Sequence, residues 1–374
     1  MLSTSKNNNK IDMSDEIAYR YGFSPMGVFN GNIRENNISY IQPENQQMIQ
    51  SFVDNKSNHP SLIYHNPKQK SKSKNKNLGL DVIGVSSSIS EALVIKTSLS
   101  ILKDEGYKDV FIDINSLGDK ESMINFEDEL LKYYKKNTDI LPDSCKKVSK
   151  SNVMDLFFCD HTECELLKAE APKPINYLSN SGMNHFKEIL EYLESMGIDY
   201  RINNSLIDKD KHYSKVIFEI KTENLISKKE NKIEEIILAR GGRYDDVARK
   251  IGRKRKLPAV GISIDFERLK KIQRGSNTPN KSKVYLVQFG FEAKRKSLEI
   301  IETLRKMKIS VYQNIYRDKL SEQLEIAKKL NIPYLVIVGQ KEALEDTVMV
   351  RHVPSAFQET VSLKNLERYM RSIR

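Results

Sequence analysis

The chain has 374 residues, 39% of them hydrophobic and 30% charged, with 61 Lys and Arg against 50 Asp and Glu for a net charge of +11. That length exceeds most single cores and favours two domains, and the apolar fraction excludes a wholly disordered polymer. No run approaches the ~18 apolar residues of a membrane span, while the positive balance favours a polyanionic partner such as RNA, although a lysine-rich genome yields the same charge.

Residues 1–13 read as a disordered polar tail without an apolar leader, so a cytoplasmic location is expected. The segments EIAYRYGFSPM and ISYIQPENQQMIQSFV give short strand and helix pieces. They are followed by NPKQKSKSKNKNLGLDVIG, residues 66–84, in which Lys68, Lys70, Lys72, Lys74 and Lys76 precede a short apolar strand. A block of like charge is ordinarily a solvated loop, and its functional reading is a tether that tracks RNA phosphates. From Glu91, Leu93, Leu99 and Leu102 stand at roughly helical spacing, Gly106 is a stop signal, and a strand is predicted over Val110–Ile114.

About residues 120–200 are predicted mainly helical, with Phe186, Ile189, Leu190 and Leu193 on one face of the last helix. Within them CDHTEC places Cys159 and Cys164 around His161, three possible metal ligands. Their spacing matches no standard zinc pattern and a fourth ligand would have to come from afar, so no metal is assigned and the segment reads as a loop with incidental thiols. Three cysteines, Cys145 included, cannot all pair within one chain, which fits a reducing compartment.

Strands are predicted at SKVIFEI and EEIILA, joined by a charged hairpin connection, KTENLISKKENK. The cluster RKIGRKRK contains Arg253, Lys254, Arg255 and Lys256, a basic loop able to attract RNA or simply to solvate itself. Residues 273–282 combine Gly, Ser, Asn, Pro and Lys without periodicity and are read as a linker between a core of residues 14–272 and a domain of residues 283–374. That second domain alternates strands and helices, the pattern of βαβ crossovers on a mostly parallel sheet. Arg317 and Lys319 are its candidate RNA contacts, and no aromatic pair spaced for base stacking stands out.

The string GGRYDDVARKIGRKRKLPAVGISIDFERL, residues 241–269, resembles the GGRYDGL and PAVGFAIGLERL segments of histidyl-tRNA synthetases, and residues 171–206 and 283–370 resemble that family's helical insertion and anticodon-binding domain. The resemblance implies an α+β class II aminoacyl-tRNA synthetase-like core, an antiparallel sheet flanked by helices with a helical insertion at about 120–200, followed by an α/β anticodon-binding-like domain. It also implies a homodimer, tRNA as partner, and ATP with Mg as cofactors if the chain is an active ligase.

LIYHNPKQKSKSKNKNLGLDVIG, residues 62–84, aligns without a gap with the family's second class motif, Pro67, Gly79 and Gly84 coinciding. The resemblance puts Ile63 where the family has the arginine that holds the ATP α-phosphate, and His65 where it has that arginine's glutamate partner. A branched alkane cannot replace a bidentate cation. The family's RGLDYY signature falls on DKDKHY, so Asp208 replaces a histidine-activating arginine and only Tyr213 is kept.

In the implied histidine pocket Asn77 and Asp81 replace longer relatives, Glu44 is kept in YIQPENQ, and Arg243 and Tyr244 belong to the GGRYD segment. The third class motif keeps Glu267 and Arg268 but has Asp265 at a glycine position. Loss of one preorganised donor typically costs about 10²–10³ in rate, and two losses would compound to roughly 10⁴. The expectation is therefore a synthetase-like protein with a degenerate site that binds RNA or a protein partner. The alternatives are a divergent active histidine–tRNA ligase, with Lys70, Lys72 or Lys215 replacing the arginines, and a histidine-sensing regulatory subunit like that of ATP phosphoribosyltransferase.

Overall fold

The structure, a computed structural model, describes residues 12–26, 49, 60–66, 75–208, 212–227, 232–250, 256–267 and 284–373. The linker expected at 273–282 lies outside these residues. Within them the chain folds around two sheets. The first has eight strands in the order β1 (Ser24–Pro25), β2 (Ser61–His65), β3 (Asn75–Ile83), β8 (Ala259–Glu267), β7 (Lys232–Arg243), β6 (Lys215–Ser227), β4 (Val110–Gly118) and β5 (Tyr200–Ile202). Pairing is antiparallel from β2 through to β4 and parallel at both edges.

Side chains alternate between the two faces of a strand, so register assigns a face to every residue. Leu78, Leu80 and Val82 of β3 stand level with Ile264, Ile262 and Val260 of β8, and Phe218, Ile220, Ile112 and Ile114 continue the same buried face. The helices Ile89–Glu105 and Asn180–Ser195 pack against this side. The opposite side carries His65, Asn77, Asp81, Ser263, Asp265, Arg240, Glu219 and Asp113. One apolar face and one polar face thus follow directly from period-two patterning.

The helix Ile89–Glu105 is central, touching β8, the helices Met13–Arg20 and Asn180–Ser195, and the helix Phe291–Lys306 of the C-terminal domain. Being enclosed on several sides, it buries polar residues that a surface helix would expose. Its Thr97 and Ser98 hydroxyls donate to the Leu93 and Val94 carbonyls at 2.7 and 2.8 Å, so neither is left unsatisfied.

Three expected boundaries are corrected. Asp12 and Met13 are not tail: Met13 opens the helix Met13–Arg20 and the Asp12 carboxylate caps it by accepting from the Ser14 N–H at 3.1 Å. β4 continues past Ile114 to Gly118. The expected charged connection is mostly ladder, since Lys221 to Ser227 pair with Ile237 to Lys232. Backbone hydrogen bonds extend that ribbon although Glu223 and Glu234 to Ile237 are exposed, a case that apolar patterning does not register.

The C-terminal sheet has the order β10 (Val311–Gln313), β9 (Val284–Gln288), β11 (Tyr334–Val338), β12 (Thr347–His352), β13 (Gln358–Ser362). The first three are parallel, and β12, which the sequence reading gave as the strand TVMVRHV, forms an antiparallel hairpin with β13, which it missed. Tyr21, fully buried, ties this domain to the core: its hydroxyl donates to Glu302 and contacts Ser100 Oγ at 2.8 Å, and its carbonyl accepts from Gln313 Nε2 at 3.0 Å. Arg305 joins Glu302 and Asp104, each at 2.8 Å.

Burial alone would raise the Glu302 carboxyl, but Arg305 and Tyr21 hold it down at about 2. Charge-assisted bonds of this kind are worth about 1.5–3 kcal/mol, so Glu302→Ala should destabilise the protein by about that amount. The check is urea unfolding followed by separate probes on the two domains, and coincident midpoints unchanged from the parent would contradict a stabilising junction.

Candidate functional site

The polar face of the first sheet holds the candidate site. Register places Ile63, Asp81 and Gly261 in one row across β2, β3 and β8, with His65, Gly79 and Ser263 in the next and Asn77 beside Asp265 in the third. Asp81 is 2% exposed. Its Oδ2 lies 3.1 Å from His65 Nε2, and its Oδ1 accepts from the Tyr244 hydroxyl.

Two glycines make this arrangement possible. A Cβ on Gly79 would stand 2.0 Å from His65 Nε2, and one on Gly261 would stand 2.0 Å from Asp81 Oδ1. The imidazole and the carboxylate therefore lie against bare backbone, where a ligand would otherwise approach. Burial, reinforced by the Asp81 charge, pushes the Tyr244 phenol well above its ordinary range, which keeps it a donor to Asp81.

Asn77 differs from its neighbours, because its buried Oδ1 has no hydrogen-bond partner among the described residues. Such an acceptor costs about 1–3 kcal/mol unless something donates to it. Asp208 accepts from the Tyr213 N–H at 2.7 Å and lies 3.5 Å from His212 Nδ1, and burial, then Asp208, pushes the Tyr213 phenol up. Farther along the face Arg240 donates to Glu219 at 2.6 Å, while Lys221 and Arg201 meet Asp113 at 2.8 and 2.7 Å. Desolvation would raise Asp113, but Arg201, Lys221 and Asn203 bring it below the usual carboxylate range.

Several expected site residues take other roles. Arg243 does not line a ligand pocket: it is fully buried and donates to Glu91 through Nε at 2.7 Å and Nη2 at 2.8 Å, with Val85 O at 3.1 Å and Asp245 at 3.3 Å. Lys76 is not a solvated RNA contact, because β3 turns it inward to Asp12 at 2.9 Å and Asp15 at 3.0 Å, and it is 6% exposed. Lys215 pairs with Asp245 at 3.1 Å, so it is already committed rather than substituting for a lost arginine. Lys256 meets Asp246 at 3.1 Å. Glu267 ends β8 exposed, its carbonyl accepting from Tyr107 at 3.0 Å. Glu44, Lys68, Lys70, Lys72, Lys74, Arg253, Lys254, Arg255 and Arg268 lie outside the described residues.

The structure also assembles one group that sequence reasoning passed over and completes another that it considered and set aside. In the C-terminal domain, Tyr312 is 40% exposed and stacks on buried Tyr285 at 5.5 Å, and the Arg317 guanidinium lies 5.3 Å from the Tyr316 ring while pairing with Glu322 at 2.7 Å. An aromatic pair therefore exists, but it joins strands 27 residues apart in sequence, and only the parallel register of β9 and β10 creates it. In the helical insertion Cys145 comes beside Cys159, His161 and Cys164, so the fourth candidate ligand is not remote.

Residues 283–373 match the Anticodon binding domain family. The chain is 30% identical to the histidine–tRNA ligase of Halothermothrix orenii over 318 residues, 84% of this chain and 74% of that protein. It is 27% identical to the chloroplastic histidine–tRNA ligase of Pyropia yezoensis over 348 residues, 89% and 79% of the two chains. Among solved structures, apo Staphylococcus aureus histidyl-tRNA synthetase superposes with a TM-score of 0.50 at 17% identity, covering 99% of each chain.

The buried pair Glu91–Arg243 has a pH consequence. Desolvation alone would raise Glu91, but Arg243 and His185 outweigh it and hold the carboxyl at about 2, against an ordinary 4.5. A depressed carboxyl stabilises the fold fully above its unfolded value, and that stabilisation is lost as pH falls towards the folded one. The loss amounts to about 3 kcal/mol. Urea midpoints measured from pH 5 downward should fall for the parent and fall less steeply for Glu91→Gln, whose starting stability should be lower by about 3–5 kcal/mol because buried Arg243 loses its closest charge partner and keeps the longer contact to Asp245 at 3.3 Å.

Proposed function

Because this chain belongs to the histidine–tRNA ligase family, we propose that it is a tRNA-binding member whose catalytic face no longer activates histidine efficiently. One observation carries the reading: Asp81, at the position the resemblance gives to a histidine-pocket glutamate, has both oxygens engaged by His65 and Tyr244 and is 2% exposed. Each oxygen keeps a second lone pair, but at this degree of burial a substrate reaches the carboxylate only if His65 or Tyr244 gives way. Ile63, level with it on β2, offers no cation to a phosphate.

The electrostatics support the same reading. Activation of an amino acid by ATP brings a triphosphate onto this face and needs donors aimed at the charge that develops. On the described part of the face Arg240, Lys221 and Arg201 are matched by Glu219 and Asp113, while Asp208 and Asp265 add negative charge near the positions where the family carries an arginine and a glycine. Arginines bound to buried carboxylates are poor recruits for a phosphate.

The RNA half of the proposal rests on the C-terminal domain and the net charge of +11. Tyr312 presents an exposed ring over Tyr285, and Tyr316, Arg317 and exposed Lys319 follow it in the same segment. Aromatic faces accept unstacked bases, and guanidinium and ammonium groups neutralise backbone phosphate. The resemblance further supports a homodimer.

A second reading, an active histidine–tRNA ligase using ATP and Mg, is favoured by Asn77. Its buried Oδ1, without a partner among the described residues, is an acceptor that a substrate donor would satisfy.

Histidine-dependent ATP–pyrophosphate exchange separates the two. With an active histidine–tRNA ligase as control, we expect exchange at least about 10⁴ lower than that control. Comparable rates would establish the ligase and end the degenerate reading. In parallel, tRNA titrated at several salt concentrations should bind with a log affinity that falls linearly with log salt. Tyr312→Ala should weaken binding by about 1–3 kcal/mol at fixed salt, and an unchanged affinity would remove Tyr312 from the RNA surface.

A further inference from the structure

The helical insertion packs around a second, smaller core that also takes in Leu117 and Ile217 of the first sheet. The helix Lys120–Lys136 is followed by the helix Asp143–Ser151, a 3-10 segment Val153–Phe158 and the helix Thr162–Glu170. The last three have nine, six and nine residues. Helices below ~12–15 residues are marginal alone, so packing or a cross-link must hold them. Their shared cluster includes Leu141, Met154, Leu156 and Phe157, together with two cysteines, Cys145 and Cys164.

Those cysteines are not scattered through the cluster. Cys145 comes from the helix Asp143–Ser151, Cys159 ends the 3-10 segment, His161 caps the helix Thr162–Glu170, and Cys164 lies within that helix. Cys145 Sγ lies 3.4 Å from Cys159 Sγ and 3.6 Å from His161 Nδ1, and Cys159 Sγ lies 3.0 Å from that nitrogen. The ligand atoms of all four residues lie within 4.8 Å of one another, and all three cysteines are free thiols.

From this we infer that Cys145, Cys159, His161 and Cys164 form a structural zinc site that staples the helical insertion. Tetrahedral zinc with bonds of about 2.3 Å to sulfur and 2.0–2.1 Å to nitrogen spaces its ligands by roughly 3.5–3.8 Å. Cys145 meets Cys159 and His161 near that spacing, at 3.4 and 3.6 Å, and small side-chain shifts would bring the shorter 3.0 Å contact and the longer ones within 4.8 Å to it. Three soft sulfurs and one imidazole form a closed Cys3His set, which suits zinc and leaves no open position for catalysis. Two ligands are buried, one is half-buried and the histidine is exposed, so the site sits at the edge of the cluster with a route of entry for the ion. Binding converts three thiols to thiolates and releases three protons, and it makes metal affinity part of the folding free energy. The spacing, thirteen residues between Cys145 and Cys159 and then one and two, departs from paired CxxC patterns because a helix and a 3-10 turn intervene.

The test uses the full chain, produced without a metal-binding tag and desalted under reducing conditions. Elemental analysis should find on the order of one zinc per chain, with the three thiols slow to alkylate until a chelator removes the ion. Exchange into Co2+ should give the intense visible bands of a tetrahedral thiolate complex. Cys159→Ser should lose the zinc on desalting, and His161→Ala, which alters an exposed residue, should weaken retention while far-UV circular dichroism confirms a folded chain. Zinc loss should also expose residues 143–170 to limited proteolysis. The inference is overturned if the folded parent carries no stoichiometric metal and its thiols alkylate at once, if Co2+ shows only weak octahedral bands, or if Cys145 and Cys159 are isolated as a disulfide.

Discussion

The fold hangs on the ion pair between Glu91 and Arg243. Arg243 ends β7, and Glu91 lies in the first turn of the central helix, 152 residues away. The same guanidinium donates to Val85 and Asp245, and the same carboxylate meets His185 of the helix Asn180–Ser195 at 2.7 Å. One buried contact therefore fixes the sheet, two helices and the turn that leads from β3 into the central helix. A carboxylate near a helix N-terminus also opposes the helix dipole favourably. Removing Glu91 would leave Arg243 buried with the longer contact to Asp245, and removing Arg243 would leave Glu91 buried with His185, so the pair is far costlier to break than it would be to omit.

With that frame in place, the two faces of the sheet divide the labour. The apolar face is spent on the helices, and the polar face is left to hold charges. Here the charges hold one another, in the row from Arg240 through Glu219 and Lys221 to Asp113, and in the separate cluster of His65, Asp81 and Tyr244. Gly79 and Gly261 supply the bare backbone over which that cluster closes. A face that satisfies itself is stable without a ligand, which is the physical basis of the proposal that it binds without efficient chemistry. Among the described residues of that face Asn77 Oδ1 is the exception, an acceptor that a donor would satisfy.

The C-terminal domain is held by a different kind of junction. Tyr21, Ser100, Glu302, Arg305 and Asp104 interlock core and domain through polar atoms that are largely withdrawn from water. Directional bonds of this sort set an orientation as well as an energy. The Tyr312 surface is thereby carried at a fixed position relative to the sheet, as an RNA contact shared between the two units would require.

Much of this was legible in the residues themselves. Period-two and helical patterns gave the main strands and helices, and the segment from Gly241 to Leu269 together with the C-terminal domain gave the family. The resemblance puts Ile63 and Asp208 where the family carries arginines, and both side chains are wrong in kind for holding phosphate whatever surrounds them. What remained hidden depended on contacts between distant positions. Arg243 reads as a pocket residue until Glu91 is brought to it, and Lys76 reads as part of a solvated run until β3 turns it towards Asp12 and Asp15. Tyr312 finds Tyr285 only through strand register, and Cys145 joins Cys159 only because a helix and a 3-10 turn fold back between them. Sequence fixes the chemistry each residue can offer and the local period it follows. Tertiary structure alone decides which charges, rings and thiols meet, because burial and pairing are properties of the spaces between elements.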